Sequence, residues 1–284
     1  MGRIKYEPVA QLRHSFLNLG EKWGLGLLVI LIDLIFLTIF GFVYKLYFDR
    51  IMIHATNIMQ QTGSMTTALQ SQDIYSAAPI AQTLSSEMSG IINLAALLAI
   101  SVFVIWIAIE SLNWIIAFRI TGRKISYLQY LKSFSVLSAI WGVLISIVLY
   151  VSISTFFANA MTLSGGAKPE SIILDIGLIV AFAVVGYFAL ISYSLTGTIK
   201  EVLKKTVMLS FLKSRVLVAY AMLVAAFLII FYPKFGLLTI LSGIIGILPA
   251  IIIGAILLMV FFVFARVYMI NVVQTLNKKK FKND

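Results

Sequence analysis

The sequence predicts an all-α, polytopic integral membrane protein with six transmembrane helices and both termini in the cytoplasm. Hydrophobic residues make up 61% of the chain and charged residues only 12%, which is about half the charged fraction of a typical soluble domain. The hydrophobic residues form six unbroken apolar runs instead of short alternating segments, and this favours helices over a β-barrel. The lysines and arginines collect between these runs. Together these observations indicate a multi-pass protein of the cell membrane.

Each predicted span is long enough to cross the hydrocarbon core of a bilayer, which takes about 20 apolar residues in a helix. The spans cover residues 23–44, 91–118, 134–158, 171–193, 216–232 and 237–265. The fifth is close to the lower limit of length, and the sixth is long enough to tilt or kink. We assign all six to a single transmembrane domain that covers residues 1–284.

The distribution of positive charge predicts the orientation of the spans. Of the 22 lysines and arginines, 18 lie in four clusters, at residues 1–22, 119–132, 200–215 and 266–284. Loops rich in lysine and arginine stay in the cytoplasm, and six spans then bring both termini to that side. The net charge of +11 therefore indicates contact with anionic lipids at the inner face, and no nucleic-acid partner is expected.

Residues 51–90 are predicted to form an external cap between the first and second spans. This segment has no lysine or arginine, its only acidic residues are Asp73 and Glu87, and it is rich in glutamine, serine and threonine. Apolar residues near its two ends allow both neighbouring helices to extend into it. We therefore expect an external helical hairpin or a partly ordered cap, and a cap that binds a partner or ligand is the alternative.

A short repeat occurs at the cytoplasmic ends of the second and fourth spans. Residues 116–122 read Ile-Ala-Phe-Arg-Ile-Thr-Gly, and residues 191–197 read Ile-Ser-Tyr-Ser-Leu-Thr-Gly. A basic amphipathic stretch follows each Thr-Gly pair, and residues 8–22 show a similar pattern ahead of the first span. We expect three amphipathic helices along the inner membrane surface, with their lysines directed toward anionic lipid.

This layout resembles the membrane domain of some glycerophosphodiester phosphodiesterases and of related uncharacterised six-helix prokaryotic membrane proteins. The resemblance rests on the repeated hairpins and on the two Thr-Gly turns, and it extends over the whole transmembrane layout. It implies a six-helix membrane fold. It does not imply phosphodiesterase activity, because the sequence shows neither a phosphodiesterase domain nor a cluster of acidic residues and histidines for a metal ion.

Three acidic residues fall inside the predicted spans, where a charge is costly and therefore indicates a candidate functional site. Asp33 lies near the middle of the first span, Glu110 in the inner third of the second, and Asp175 near the outer end of the fourth. Asp33 is either a neutral acid bonded to a neighbouring helix or a group that couples to protons or cations. We expect Glu110 to form a structural ion pair with Arg266 or Arg119.

The sixth predicted span contains a candidate hinge at Gly246 and Pro249. Pro249 removes one helical hydrogen bond and Gly246 weakens the helix nearby, which favours a kink. Gly246, Ala250 and Gly254 recur every four residues, so we expect close helix packing there, and a hinge or an unwound binding segment is the alternative. A tight outer turn near Pro233 is predicted to precede this span.

No catalytic residue, metal site or cofactor is predicted. The chain has no cysteine, and its two histidines, His14 and His54, fall on opposite sides of the predicted membrane, so they cannot share a metal ion or a proton. We expect a non-enzymatic membrane component that interacts with lipids or with other membrane proteins. A small transporter or channel with Asp33 and Glu110 as coupling carboxylates is the alternative, and an enzyme that acts on lipid comes third.

Overall fold

The computed structural model describes residues 8–70, 74–164, 172–231 and 236–280, and within these ranges every regular element is an α-helix. The helices are α1 (Pro8–Glu21), α2 (Trp23–Gln70), α3 (Ile74–Ile120), α4 (Tyr127–Ser164), α5 (Ile172–Tyr193), α6 (Ile199–Leu212), α7 (Ser214–Phe231), α8 (Leu237–Ile245) and α9 (Ile247–Lys280). Among the described residues, α2, α3, α4, α7 and α9 each contain a stretch long and apolar enough to cross a membrane. In α5 this stretch is shorter, Ile179–Tyr193. The predicted all-α, multi-pass class is confirmed.

The chain divides into two compact units. The first contains Met1–Leu31 and Glu110–Asp284, and the second contains Ile32–Ile109. The first unit therefore holds α1, the beginning of α2, the C-terminal end of α3 and α4 to α9, whereas the second consists of the remaining parts of α2 and α3.

In the second unit, α2 and α3 pair as an antiparallel hairpin. The hydroxyl groups of Tyr47 and Ser101 lie 3.4 Å apart, and His54 contacts Glu87 further along the same pair. The predicted spans occupy only part of each helix, because α2 continues to Gln70 and α3 begins at Ile74. The described part of 51–90 is thus helical, in keeping with the expected hairpin, and its position outside the membrane stays a prediction.

The core of the first unit lies at the helix ends that carry the basic clusters. Large side chains at these ends are less than 2% exposed; they include Trp114, Phe118, Phe134, Ile191, Leu209, Tyr268 and Ile270. Toward their other ends, α4 and α9 expose large apolar side chains, such as Tyr150 at 73% and Ile251 at 62%. Such surfaces suit contact with lipid tails, which are as apolar as leucine. We call the buried end, formed by α1, α6 and the adjoining ends of α3, α4, α5, α7 and α9, the inner layer.

Two of the three expected surface helices are separate elements, α1 and α6. One face of α6 is buried through Val202, Thr206 and Leu209, which follow helical spacing, and Lys200 and Lys204 are exposed. The prediction of a third, separate surface helix after the first Thr-Gly turn is wrong. The stretch from Tyr127 is instead the beginning of α4, because no glycine or proline separates it from the apolar residues that follow.

The sixth predicted span, 237–265, is divided at Gly246 into α8 and α9. Gly246 has a φ of 91°, a conformation that glycine adopts without steric cost. The two helices then pack side by side and run antiparallel, since a β-carbon on Gly254 would lie only 2.8 Å from Leu238 Cδ1. Pro249 falls in the first turn of α9, where no helical hydrogen bond is lost, so the expected proline kink is replaced by a break at the glycine. The turn predicted at Pro233 lies outside the described residues.

Candidate functional site

Glu110 and Arg266 form a buried ion pair between α3 and α9. Arg266 Nη2 donates to Glu110 Oε2 at 2.7 Å, and Arg266 Nε donates to Oε1 at 3.0 Å. The two side chains are 16% and 8% exposed. The pair predicted from the sequence is therefore present, with Arg266 as the partner, while Arg119 is exposed at the end of α3.

The geometry of this pair suits a structural role. Two parallel N–H···O bonds between a guanidinium and a carboxylate form the strongest kind of ion pair, because each oxygen receives its own donor. Removing one partner from such a buried pair costs about 3–5 kcal/mol, since the other charge is left uncompensated. The pair joins residues 156 positions apart in the chain, so it fixes the end of α3 against α9.

The residues after Glu110 on α3 continue the buried polar region. Ser111 and Asn113 are fully buried, and Trp114 is 1% exposed. The Trp114 ring meets Tyr193 edge-on, with ring centroids 5.8 Å apart, and Tyr193 also lies 4.6 Å from Phe134. Aromatic rings of α3, α4 and α5 thus pack together one turn along α3 from the ion pair.

The second Thr-Gly turn, at the end of α5, is held by side chains from two other helices. The last carbonyl groups of a helix have no partner within it. Here Tyr130 Oη donates to Tyr193 O at 2.7 Å, Ser133 Oγ to Gly197 O at 3.1 Å, and Gln274 Nε2 to Ser194 O at 3.3 Å. These bonds tie α4 and α9 to the turn.

The first Thr-Gly turn, at the end of α3, is closed by its own main chain. Arg123 N donates to Phe118 O at 2.9 Å, and Gly122 N donates to Arg119 O at 3.0 Å. With Gly122 at a φ of 80°, these two bonds make a Schellman motif. Lys22 Nζ adds hydrogen bonds to Arg119 O and Ile120 O at 2.9 and 3.0 Å. This member of the N-terminal basic cluster is therefore a helix cap.

Helix α1 packs against α9 on one side. Asn271 Nδ2 donates to Ser15 Oγ at 2.8 Å, and the rings of Phe16 and Phe264 stack with centroids 4.5 Å apart. Other apolar side chains of α1 remain open, with Val9 61% and Leu17 53% exposed. The helix therefore contacts the protein and still presents apolar residues to its surroundings.

A polar cavity of about 300 Å³ opens beside the second Thr-Gly turn. Its wall includes Lys124, Ser126, Gln129, Ser133, Thr196 and Gly197, and Tyr130, which is 4% exposed, also lines it. The neighbouring Arg123 is partly buried, and this desolvation lowers the pKa of its guanidinium below its ordinary value. Arginine nevertheless stays protonated in proteins, so a second positively charged residue precedes Lys124 in the chain.

The other residues predicted as candidate sites are not part of the inner layer. Asp33 is half-buried on α2 in the second unit. The side chain of Asp175 lies outside the described residues. Gly246 and Pro249 are both exposed at the junction of α8 and α9, where an apolar cavity of about 390 Å³ is lined by residues of both helices, including Ser242.

Sequence reasoning missed a polar cluster in the second unit. His54 Nδ1 lies 2.5 Å from Glu87 Oε2, and Asn57 Nδ2 donates to Glu87 Oε1 at 3.2 Å. Gly90 makes room for the ring, because a β-carbon there would lie 2.8 Å from His54 Cε1. The only signal in the sequence was an acid and a histidine in the same predicted cap. In the described part of the chain, no group of three or more acidic or histidine side chains is arranged to hold a metal ion.

Comparison with known proteins gives no relative for this chain: no family model, curated protein or solved structure matches it. The resemblance to membrane domains of glycerophosphodiester phosphodiesterases therefore stays a prediction. The function has to be argued from the residues of the chain itself.

Proposed function

We propose that this multi-pass protein is a non-enzymatic membrane component that interacts with anionic lipids through its inner layer. The observation that carries the proposal is the combination of a rigid, buried core with open positive charges at the same helix ends. The exposed basic side chains of the first unit at these ends are Arg13, Arg119, Lys124, Lys132, Lys200, Lys204, Lys213 and Arg215.

Their number is sufficient for a lipid preference. A lysine or arginine near an anionic membrane surface contributes about 1 kcal/mol of attraction. The ion pair and the caps hold the helices that carry these charges in fixed positions, so little ordering entropy is lost when lipid headgroups gather there. Contact with other membrane proteins at the same face is compatible with this surface.

The rival function, transport coupled to Asp33 and Glu110, has less support. A coupling carboxylate needs an oxygen that can bind and release its ion. Both oxygens of Glu110 accept hydrogen bonds from Arg266, so this residue is already engaged. Asp33 alone remains as a candidate for the rival function.

The proposal is tested with the protein reconstituted into vesicles that contain either spin-labelled phosphatidylglycerol or spin-labelled phosphatidylcholine. We expect a larger motionally restricted fraction for phosphatidylglycerol, and we expect high salt to reduce the difference because salt screens exposed charges. Equal fractions for the two lipids would contradict the proposal.

The same vesicles test the rival function. We expect no proton or cation flux under an imposed gradient. A flux that is lost in Asp33→Asn and retained in the matched variant Asp49→Asn, which removes an exposed carboxylate from the same helix, would establish transport instead.

A further inference from the structure

The polar cavity beside the second Thr-Gly turn has donor groups that the protein itself does not use. Ser133 and Tyr130 are occupied, because they donate to Gly197 O and Tyr193 O. Among the residues that the structure describes, the side chains of Lys124, Gln129 and Thr196 make no hydrogen bond. An ammonium, an amide and a hydroxyl group therefore surround the same space with their donors available.

Part of the cavity wall is held in place by contacts within the protein. Ser133 is hydrogen-bonded to the turn that forms the opposite wall. Tyr130 is buried among aromatic rings, with Phe118 at 5.6 Å and Phe134 at 5.8 Å between centroids. The preformed wall limits the entropy lost on binding, while the donors of Lys124, Gln129 and Thr196 are exposed and would be ordered by the ligand.

The character of these groups identifies the class of ligand. In the described wall, the only charged side chain is that of Lys124, and Arg123 precedes it in the chain. A lysine with neighbouring hydroxyl and amide donors matches the several acceptor oxygens of a phosphate group. The volume of about 300 Å³ is at the lower end of the range for small-molecule sites, and this suits a headgroup better than a whole lipid.

We infer that this cavity binds a phosphate-bearing anion, presented either by the headgroup of an anionic phospholipid or by a small soluble phosphate ester. The inference rests on the proposed function, which it refines by naming one site on the inner layer. Next to the cavity, Leu128 is 68% and Tyr127 40% exposed. These side chains provide an apolar surface for the glycerol backbone and acyl chains of a lipid.

One acidic side chain lies close to the cavity and provides a check on the electrostatics. Glu201 does not line the cavity, but its Oε2 would lie 2.9 Å from a β-carbon on Gly197. Its negative charge opposes the binding of an anion. Glu201→Gln should therefore tighten binding, in the direction opposite to that of Lys124→Gln.

The experiment uses the full chain in a neutral detergent. Native mass spectrometry measures binding of dioleoyl phosphatidylglycerol and of dioleoyl phosphatidylcholine, and isothermal titration calorimetry measures binding of glycerol 3-phosphate. We expect Lys124→Gln to weaken binding about tenfold and Thr196→Val about threefold, through the loss of a charged and a neutral hydrogen bond. Lys132→Gln is the matched control, because it removes a charge of the inner layer from an exposed position outside the cavity. It should change the affinity for glycerol 3-phosphate less than about twofold and weaken phosphatidylglycerol binding less than Lys124→Gln does.

The outcomes distinguish binding at this cavity from a general attraction of the inner layer for anionic lipid. Binding that is weakened clearly more by Lys124→Gln than by Lys132→Gln supports the site, and the two arms show whether the phosphate comes from the lipid or from the soluble ester. Equal losses in Lys124→Gln and Lys132→Gln overturn the site and leave a general attraction of the inner layer for anionic lipid. If the protein does not prefer phosphatidylglycerol over phosphatidylcholine and does not bind glycerol 3-phosphate, both the cavity site and the proposed lipid interaction are overturned.

Discussion

At the end of α3, the turn through Thr121 and Gly122 is closed by a Schellman motif of its own main chain, whereas the turn through Thr196 and Gly197 combines main-chain bonds with side-chain bonds from α4 and α9. The two sequences are alike, and both glycines have a positive φ, 80° and 142°. The same pattern therefore ends two helices in two different ways.

The difference shows which turn depends on the rest of the fold. A Schellman motif satisfies its carbonyl groups locally, so the first turn can form as soon as α3 forms. At the second turn, the carbonyl groups of Tyr193 and Ser194 accept side-chain hydrogen bonds only when Tyr130 and Gln274 arrive from positions 63 and 80 residues away. We therefore expect the second turn to be more sensitive to changes elsewhere in the first unit.

The largest expected effect comes from replacing the glycines. We expect Gly197→Ala to lower the free energy of unfolding by about 2 kcal/mol and Gly122→Ala by about 1 kcal/mol, because a side chain is strained at positive φ. Gly197 lies further from the usual left-handed region, and its new methyl group would also displace Glu201, whereas nothing lies within 4 Å at Gly122. Unfolding in mixed micelles of dodecyl maltoside and SDS measures the free energy of unfolding of both variants. Equal losses would show that the two turns are equivalent.

The next effect concerns the tertiary cap of the second turn. Tyr130→Phe should cost about 1.5 kcal/mol, because it leaves the buried carbonyl group of Tyr193 without its donor. Hydrogen exchange should become faster in residues 190–197 and stay unchanged in residues 116–123. Tyr127→Phe is the control, since this hydroxyl group belongs to an exposed side chain of the same helix. Faster exchange at both turns would contradict the separation of the two caps.

The smallest effect is expected at Lys22. Lys22→Met removes two donors to the end of α3, but the main-chain motif remains, so we expect a loss of about 0.5–1 kcal/mol. The rate of hydrogen exchange of the backbone amides in residues 116–123 should rise only slightly. Arg13→Met, which removes an exposed positive charge from α1, serves as the control. A loss as large as that of Tyr130→Phe would mean that the first turn also relies on distant residues.

The sequence predicted the turns but not their partners. Thr-Gly after an apolar run with helical residues on both sides is a local signal for a helix end, and both glycines do follow helix ends. The residues that hold the second turn could not be predicted, because Tyr130 and Gln274 have no sequence feature that marks a capping role. Their donors find their acceptors through the packing of whole helices.

The charged residues also show that contact partners are hard to predict from the sequence. Glu110 and Arg266 could be paired from the sequence because they are opposite charges at similar predicted depth. His54 and Glu87 were missed, since their contact depends on the register of α2 against α3, and apolar periodicity does not determine that register. Hydropathy also failed to place the break in the sixth span, because the residues on both sides of Gly246 are equally apolar.

The lengths of α2 and α3 have a consequence for how the second unit fits a bilayer. At 48 and 47 residues, the two helices are about 70 Å long at 1.5 Å per residue. Confining them to a slab of hydrocarbon about 30 Å thick would demand a tilt of roughly 65°, well beyond the range of about 0–40° that transmembrane helices adopt. At an ordinary tilt, a bilayer with its headgroups accommodates roughly 45–50 Å of each helix. We therefore predict that α2 and α3 extend about 25 Å past the headgroups, and labelling single cysteines introduced along α2 would locate the depth at which it enters water.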